Sequence, residues 1–275
     1  MSDCRQFRKF TKISNWSRLV AALLVLLILC PAGRAAAEEI TVAAAADLTF
    51  AFQDIAAKYQ KDTGNSVKFS YGSSGNFFSQ IKNGAPFDMF FSADIAYPKK
   101  LEAAGLTEPG SLYEYAVGKI VIWVPNASTL DLKSGLAVLT DPHINKIAIA
   151  NPRHAPYGSA AVAAMKHEGV YDKVSSKLVM GENIAQTAQF VESGSADIGI
   201  LALSLAVAPN LKDKGRYVMI ATSDYPPIEQ AAVILKSSRK KETAQHFLDF
   251  LKTPAIVTLM RSYGFTVPDS PAPAN

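Results

Sequence analysis

The sequence predicts an α/β protein of two lobes, each a mainly parallel sheet flanked by helices. Short apolar strands alternate with amphipathic helices in two separate series along the chain. Apolar strands of this kind are typical of parallel sheets that are covered on both faces. Subtracting a predicted targeting segment of 37 residues from the chain of 275 leaves 238. That length suits two lobes better than one compact unit.

Residues 1–37 are predicted to be a signal peptide. Basic side chains precede an apolar run at residues 19–29, and Ala35-Ala36-Ala37 then offers a cleavage site. A membrane anchor is the alternative, but this run is too short to span a bilayer. A lipoprotein is a second alternative because Cys30 follows the run, although Leu29 is bulkier than such sites favour. We therefore expect a cleaved chain exported to the periplasm.

Removal of this segment changes the charge and the cysteine content of the chain. Both cysteines, Cys4 and Cys30, leave with it, so no disulfide, thiol nucleophile or cysteine-based metal site is expected. The segment also takes six of the 28 Lys and Arg and one of the 24 Asp and Glu, which leaves a net charge of −1. The basic character of the full chain therefore belongs to targeting, and nucleic acid is not an expected partner.

The first series of elements starts at residue 40. Strands are predicted at 40–46, 67–71 and 88–92. The helices that follow them are predicted from Leu48 to a stop at Gly64, at 76–82, and at 97–104. Asp47 lies between the first strand and the first helix, where it is a strong candidate for an N-cap.

The second series and the C-terminal helices complete the prediction. Strands are expected at 120–124, 147–150, 178–180, 197–202 and 217–221, and helices at 160–166 and 185–192. Two further helices occupy the region 247–263, the second of them starting at Thr253-Pro254. We predict lobe I at 38–120 and 223–267, lobe II at 121–222, and a disordered tail at 268–275. The segments 120–124 and 231–235 are candidate crossings between the lobes.

Five junctions between an apolar strand and a helix are built of small or capping residues. A helix N-terminus carries unpaired N–H groups and partial positive charge, and small residues let an anion approach the backbone there. Several such junctions aimed at one point would bind an anion without a basic side chain. The junctions are Ala45-Ala46-Asp47, residues 72–76, Ser92-Ala93-Asp94, residues 156–159 and residues 181–184.

Enzymatic and metal-binding interpretations have weaker support. Ser73-Ser74 lies between glycines, but the spacing is not that of a nucleophile elbow and no histidine lies at a telling distance. The four histidines show no metal spacing, and His167-Glu168 lacks the second histidine of a zinc motif. We therefore expect no catalysis, no cofactor and no cation site, and interpret the histidines as surface or cap residues.

Several motifs give the chain a family resemblance. They occur in the order found in the periplasmic molybdate-binding proteins, the type II solute receptors of molybdate ABC importers, and the chain resembles them over about residues 39–267. The block at 84–94 is the most specific of them. The motifs are residues 40–48 (ITVAAAADL), 72–76 (GSSGN), 84–94 (GAPFDMFFSAD), Asn151-Pro152, 154–158 (HAPYG), 250–254 (FLKTP) and Tyr263-Gly264-Phe265.

This resemblance implies a two-lobed clamp that closes over a tetrahedral oxyanion, held by backbone N–H groups and hydroxyls. Carried over by position, Ser74 would donate its hydroxyl and N–H, and Ala93 and Ile184 one N–H each. Tyr157 would point its hydroxyl at the anion, and Asp47 occupies a further ligand position. The implied ligand is molybdate and also tungstate, and the implied partner is an ABC permease with its ATPase. A monomer is the expected state.

The chain departs from the family pattern at two positions. Ala202 stands where many members have a tyrosine ligand, and Tyr157 is a candidate to replace it. Asp47 stands where members usually have Ser or Asn, and an ionised carboxylate repels a dianion. One interpretation makes Asp47 an N-cap that bonds the N–H groups of its own helix. The other has it select a protonated oxyanion, or become protonated itself when the ligand binds.

Two further functions remain open from the sequence. These departures leave room for another oxyanion, such as phosphate or sulfate, as the ligand. The same clamp would also serve as a module that presents its ligand to a chemoreceptor instead of a transporter.

Overall fold

The computed structural model describes residues 37–268. Residues 1–36 of the predicted signal peptide, and the predicted tail beyond Pro268, lie outside the described residues. From Glu38, the described residues form one compact unit. Two sheets of five strands each organise this unit.

The first sheet has the strand order β2-β1-β3-β10-β4. Strand β1 lies between β2 and β3 and is parallel to both, whereas β10 is antiparallel to β3 and to β4. The four-residue β3 is buried along its whole length. The strands are β1 (Glu39–Ala45), β2 (Ser66–Gly72), β3 (Met89–Ser92), β4 (Tyr113–Gly118) and β10 (Ile228–Ile234).

The second sheet repeats this plan with the order β7-β6-β8-β5-β9. Strand β6 is parallel to β7 and β8, and β5 is antiparallel to β8 and β9. Both sheets are thus mixed, with two parallel and two antiparallel pairings, where the sequence predicted mainly parallel sheets. The strands are β5 (Ile120–Pro125), β6 (Ile147–Ala150), β7 (Leu178–Gly181), β8 (Ile198–Ala202) and β9 (Gly215–Met219).

Helices cover the faces of the sheets. The first of them buries Phe52 and Tyr59, which pack edge-on against Phe247 of the eighth. It ends at Gly64, whose φ of +81° is the left-handed conformation expected of a glycine C-cap. The helices are α1 (Thr49–Thr63), α2 (Ser74–Lys82), α3 (Ala96–Ala103), α4 (Pro156–His167), α5 (Tyr171–Val174), α6 (Ile184–Glu192), α7 (Leu203–Ala206), α8 (Lys241–Leu251) and α9 (Pro254–Ser262).

Some elements differ from the sequence prediction. Strand β4 was not predicted, because it lies at the edge of its sheet and mixes buried with exposed side chains, so its apolar signal is weak. The chain passes between the sheets at Lys119 and over residues 220–227, next to the two strands that were proposed as crossings. The short helices α5 and α7, and the 3₁₀ turns at Leu132–Thr140, were also missed.

Candidate functional site

The five strand-to-helix junctions meet around one small cavity between the two sheets. All five residues predicted to bind an anion line this cavity, and every junction contributes to its wall. Its volume is about 10 Å³, close to the smallest space that holds one water molecule. The lining residues are Ala45, Ala46, Asp47, Gly72, Ser73, Ser74, Ala93, Ala155, Pro156, Tyr157 and Ile184.

Three helices begin at residues that line this cavity. Helix α2 begins at Ser74 and α4 begins with Pro156 at its first position. Helix α6 begins at Ile184, and the side chain of Asn183 caps it by accepting from the N–H groups of Ala185 and Gln186. The N–H of Ile184 takes no part in this cap. Among the described residues that line the cavity there is no Lys or Arg.

Ser74 and Ala93 are joined directly. Ser74 is fully buried, and its hydroxyl oxygen accepts a hydrogen bond of 2.9 Å from the N–H of Ala93. This bond links the start of α2 to the end of β3. Because the Ala93 N–H orients the hydroxyl oxygen, the proton of Ser74 is free to point elsewhere, and the two groups form one polar edge of the cavity.

Asp47 is the centre of a buried network that the sequence did not reveal. Its Oδ2 accepts from the hydroxyl of Tyr157 at 2.9 Å and from Nε2 of Gln230 at 2.8 Å. Nε2 of Gln230 also donates to the Tyr157 hydroxyl at 2.9 Å. The Tyr115 hydroxyl donates to Oε1 of Gln230 at 2.8 Å, and the Ser204 hydroxyl donates to the backbone oxygen of Asp47 at 2.8 Å. The network joins both lobes through uncharged donors.

The N-cap interpretation of Asp47 is wrong in this structure. Strand β1 ends at Ala45, which takes the position before the 3₁₀ turn Ala46–Leu48, so Asp47 lies inside the turn. Its side chain consequently turns away from the helix N–H groups and towards Tyr157 and Gln230. Burial raises the pKa of Asp47 from 3.8 to about 6, although the bonds from Gln230 and Tyr157, and a contact with its own backbone N–H, act in the opposite direction.

The hydroxyl of Tyr157 reaches this network because Gly118 has no side chain. A Cβ atom at position 118 would lie 2.1 Å from that hydroxyl and 2.8 Å from Nε2 of Gln230. In this structure the Tyr157 hydroxyl donates its hydrogen bond to Oδ2 of Asp47. Ala202 is not among the residues that line the cavity, so replacement of a ligand at that position by Tyr157 stays a prediction.

A second group of contacts joins the lobes beside the cavity; we call it the interlobe bridge. The N–H of Gly75 donates to the backbone oxygen of His154 at 2.9 Å. The His154 ring bonds the Ser73 hydroxyl at 2.9 Å, and Nδ2 of Asn76 donates to Oε1 of Glu182 at 2.6 Å. His154 was interpreted from the sequence as a surface or cap residue, but only 18% of its side chain is exposed. It belongs to the contact between the lobes.

A larger cavity of about 260 Å³ shares Ala93, Ala155 and Pro156 with the small one. Asp94, Tyr97 and His154 also line it. The two cavities therefore have common walls.

One exposed group of titratable side chains lies elsewhere. His167, Glu168 and Asp224 bring one ligand atom each within 4.8 Å of one another. Two of the three are exposed, and exposed acidic groups commonly lie together without an ion. The absence of a cation site therefore stays a prediction.

Comparison with known proteins gives one consistent family. The family model described as bacterial extracellular solute-binding protein matches residues 40–266. The molybdate-binding protein ModA of Azotobacter vinelandii is 42% identical over 249 residues, which are 90% of this chain and 97% of that relative. The ModA of Rhodobacter capsulatus is 41% identical over 231 residues, 84% of this chain and 89% of the relative. These matches confirm the resemblance drawn from the motifs.

A solved structure agrees with these relatives. The periplasmic molybdate-binding protein of Azotobacter vinelandii matches with a TM-score of 0.79 and 35% identity, over 84% of this chain and 100% of that one. The match confirms the predicted fold class of a two-lobed periplasmic-binding-protein clamp. Within residues 37–268, none of the helices has the length and apolar character needed to cross a bilayer.

Proposed function

This chain belongs to the bacterial extracellular solute-binding proteins, and on that premise we propose that it is a periplasmic receptor for molybdate. The observation that carries the proposal is the convergence of five small-residue junctions on one buried cavity with no basic side chain in its described wall. Helix N-termini and hydroxyls suit an oxyanion in such a place. The relatives named above bind molybdate according to their names.

The ligand is held by five residues. Ser74 donates its hydroxyl and N–H, Ile184 offers an N–H, and Asp47 and Tyr157 complete the wall. The N–H of Ala93, which donates to the Ser74 hydroxyl in this structure, leaves that oxygen and donates to the anion when the anion binds. A buried dianion is tolerated only when nearly all of its oxygens are hydrogen-bonded. A wall made of fixed N–H groups meets this condition without the flexible side chains that a Lys or Arg would bring.

Binding requires the lobes to move. A cavity of about 10 Å³ is smaller than a tetrahedral oxyanion, so the walls separate to admit the anion and close again around it. The two predicted lobes move relative to each other to open and close the site. Lobe I is 38–120 with 223–267, and lobe II is 121–222. Closure then creates the surface that an ABC permease recognises, a ligand-driven hinge movement.

The remaining parts of the proposal follow from the same site. Tungstate binds as molybdate does, because the hydrogen bonds of the cavity wall depend on the shape and charge of the anion. Sulfate and phosphate bind less well, because these anions are smaller and their oxygens do not reach all the hydrogen-bond donors of the wall. The protein works as a monomer, without a cofactor and without catalysing a reaction, after its signal peptide has been removed.

Thermal unfolding of the chain from Glu38 onward tests this proposal with molybdate, tungstate, sulfate and phosphate in turn. A ligand at about 100 times its dissociation constant adds about 2.7 kcal/mol to the free energy of unfolding, which raises the melting temperature by a few degrees in a chain of this size. We expect this rise with molybdate and tungstate alone. A rise with phosphate or sulfate alone would redirect the proposal to another oxyanion.

Substitution of Ser74 by alanine locates the site. A hydrogen bond to a charged group contributes about 2 kcal/mol, so Ser74→Ala should weaken molybdate binding roughly thirtyfold in calorimetry. Ser70→Ala is the matched control, because Ser70 is exposed on β2 four residues earlier. Equal affinities of the two variants would mean that the anion binds elsewhere.

A further inference from the structure

The two carboxylate oxygens of Asp47 are in unequal surroundings. Oδ2 accepts two hydrogen bonds, from Tyr157 and Gln230. Oδ1 is buried and has no hydrogen-bond partner within the described part of the chain. A buried polar atom without a partner is unusual and calls for a functional explanation. Asp47 also lines the cavity, and Oδ1 is the one of its two carboxylate oxygens that no described group bonds.

The donors around Asp47 are already committed. Nε2 of Gln230 donates to Oδ2 of Asp47 and to the Tyr157 hydroxyl. The proton of Tyr157 goes to Oδ2, and Tyr115 gives its proton to Gln230. None of these donors bonds Oδ1. Only a proton on Oδ1 itself would turn this atom into a donor.

The charges that face Asp47 do not favour its ionised form. Tyr157 faces it from α4 and Tyr115 from β4, and burial together with the Asp47 charge raises the pKa of both hydroxyls well above 10. From β10 it is faced by the uncharged Gln230, and from α7 by the Ser204 hydroxyl. Within the described residues, no ion pair involves Asp47. A dianion in the cavity would add further repulsion.

We propose that Asp47 binds the oxyanion as a neutral carboxylic acid, with its proton on Oδ1 donated to a ligand oxygen. This inference rests on the proposed function, since it needs an oxyanion in the cavity. Oδ2 keeps its bonds to Tyr157 and Gln230. The proton is taken from solvent when the anion binds. The dianion and the neutral acid together carry a charge of −2, whereas the dianion and an ionised Asp47 would carry −3. In this form Asp47 offers one donor and one acceptor, as an asparagine side chain does.

The sign of the pH dependence follows from this exchange. In the free chain the pKa of Asp47 is about 6, and the bound dianion raises it further. Affinity is therefore greatest below about pH 6, where the acid already carries its proton. Above that pH each anion brings one proton with it, and affinity falls about tenfold per pH unit until the pKa in the complex is reached.

Calorimetry with micromolar molybdate tests the inference at pH 7.5 in two buffers of different ionisation enthalpy. We expect the wild type to take up about one proton per anion. Between pH 6.5 and 8.5 its dissociation constant should rise up to about a hundredfold. Asp47→Asn carries a permanent donor, so it should bind without proton uptake and with an affinity that does not vary over this range.

A second variant identifies the group that takes up the proton. His154 is another titratable side chain at the cleft, and its ring bonds Ser73. Proton uptake should persist in His154→Gln. If uptake disappears there and persists in Asp47→Asn, the proton belongs to His154 and the inference is wrong.

The outcomes separate this inference from the proposed function. If wild type and Asp47→Asn both bind molybdate with no proton uptake and the same pH profile, only the inference fails. The inference also fails if Asp47→Asn alone loses binding while the wild type binds without a proton. If neither protein shows molybdate binding at any pH, the proposed function fails and the inference with it. The proton count of the wild type needs no variant, so a misfolded variant leaves the test intact.

Discussion

The lobe that contains the first sheet buries two aspartates, one at each end of the sheet, and their surroundings differ. Asp88 precedes β3. Its Oδ2 accepts from the N–H and the hydroxyl of Thr41 at 2.7 and 3.0 Å, and its Oδ1 accepts from the Ser238 hydroxyl at 2.7 Å. Asp47 follows β1 at the opposite end, and only one of its oxygens has partners.

This contrast separates a structural carboxylate from one available to a ligand. Asp88 fastens the amino ends of β1 and β3 to the chain near Ser238, and its hydrogen-bonding capacity is used within the protein. Asp47 is held through Oδ2, whereas its Oδ1 has no partner among the described residues and the residue lines the cavity. The burial of the two side chains is similar, at 8% and 1% exposure. The difference lies in which atoms have partners.

The largest effect on stability is expected at Asp88. Asp88→Ala leaves the Thr41 N–H and the Ser238 hydroxyl without their acceptor, at about 1–3 kcal/mol for each such group. We expect a total loss of about 3 kcal/mol and a melting temperature about 6–12 °C lower, measured by thermal unfolding. Asp213→Ala, at an exposed position, is the control. The comparison fails if the two variants melt together.

The opposite sign is expected at Asp47. The folded chain holds this proton more tightly than the unfolded chain, because the pKa rises from 3.8 to about 6. The free energy of unfolding of the wild type therefore falls as pH rises from about 4 to 6, and then levels off. Asp47→Asn lacks this loss and should be more stable than wild type by about 2–3 kcal/mol at pH 8, with a smaller difference at pH 4.

Denaturant unfolding without ligand at pH 4 and pH 8 measures this difference. The control is Asp213→Asn, which should follow the wild type at both pH values because its side chain is exposed. The quantity compared is the stability of Asp47→Asn minus that of wild type, at each pH. If this difference is the same at pH 8 as at pH 4, burial does not destabilise the Asp47 carboxylate.

The smallest effect is expected at the interlobe bridge. His154→Ala removes the bond to Ser73 but leaves the backbone bond from Gly75 in place. The neighbouring Glu182 side chain is 58% exposed, so its contacts contribute little. We expect a two- to threefold weaker molybdate affinity in calorimetry at low pH, where Asp47 is neutral. His143→Ala is the control, because that side chain is 88% exposed, and it should leave the molybdate affinity unchanged. If His143→Ala weakens the affinity as much as His154→Ala does, the contact of His154 with Ser73 has no specific role in binding.

The sequence contained much of this site because its parts are local. Each junction places a strand end, a small residue and a helix start within a few positions, and both periodicity and capping rules act at that range. Ser74, Ala93 and Ile184 could therefore be found in the sequence. Their meeting at one cavity follows from the topology, since the strands that carry them end on the side where the two sheets face each other.

The Asp47 network could not be predicted in the same way. Gln230 bonds Asp47 across 183 positions of sequence, and Tyr115 belongs to β4, a strand with a weak apolar signal. Gly118 was missed because its role is to leave space for the Tyr157 hydroxyl. The N-cap interpretation of Asp47 failed for a local reason: the turn begins at Ala46, two residues earlier than expected. These features depend on which distant strands become neighbours.

The central claim is that an oxyanion binds where the five junctions meet. A crystal structure of the molybdate complex, with the anomalous signal of molybdenum marking the anion, tests it most directly. We expect one molybdenum peak in the cavity, with oxygens bonded to the Ser74 hydroxyl, to the N–H groups of Ala93 and Ile184, and to Oδ1 of Asp47. A peak outside this cavity, or an anion held by a Lys or Arg side chain, would contradict the account.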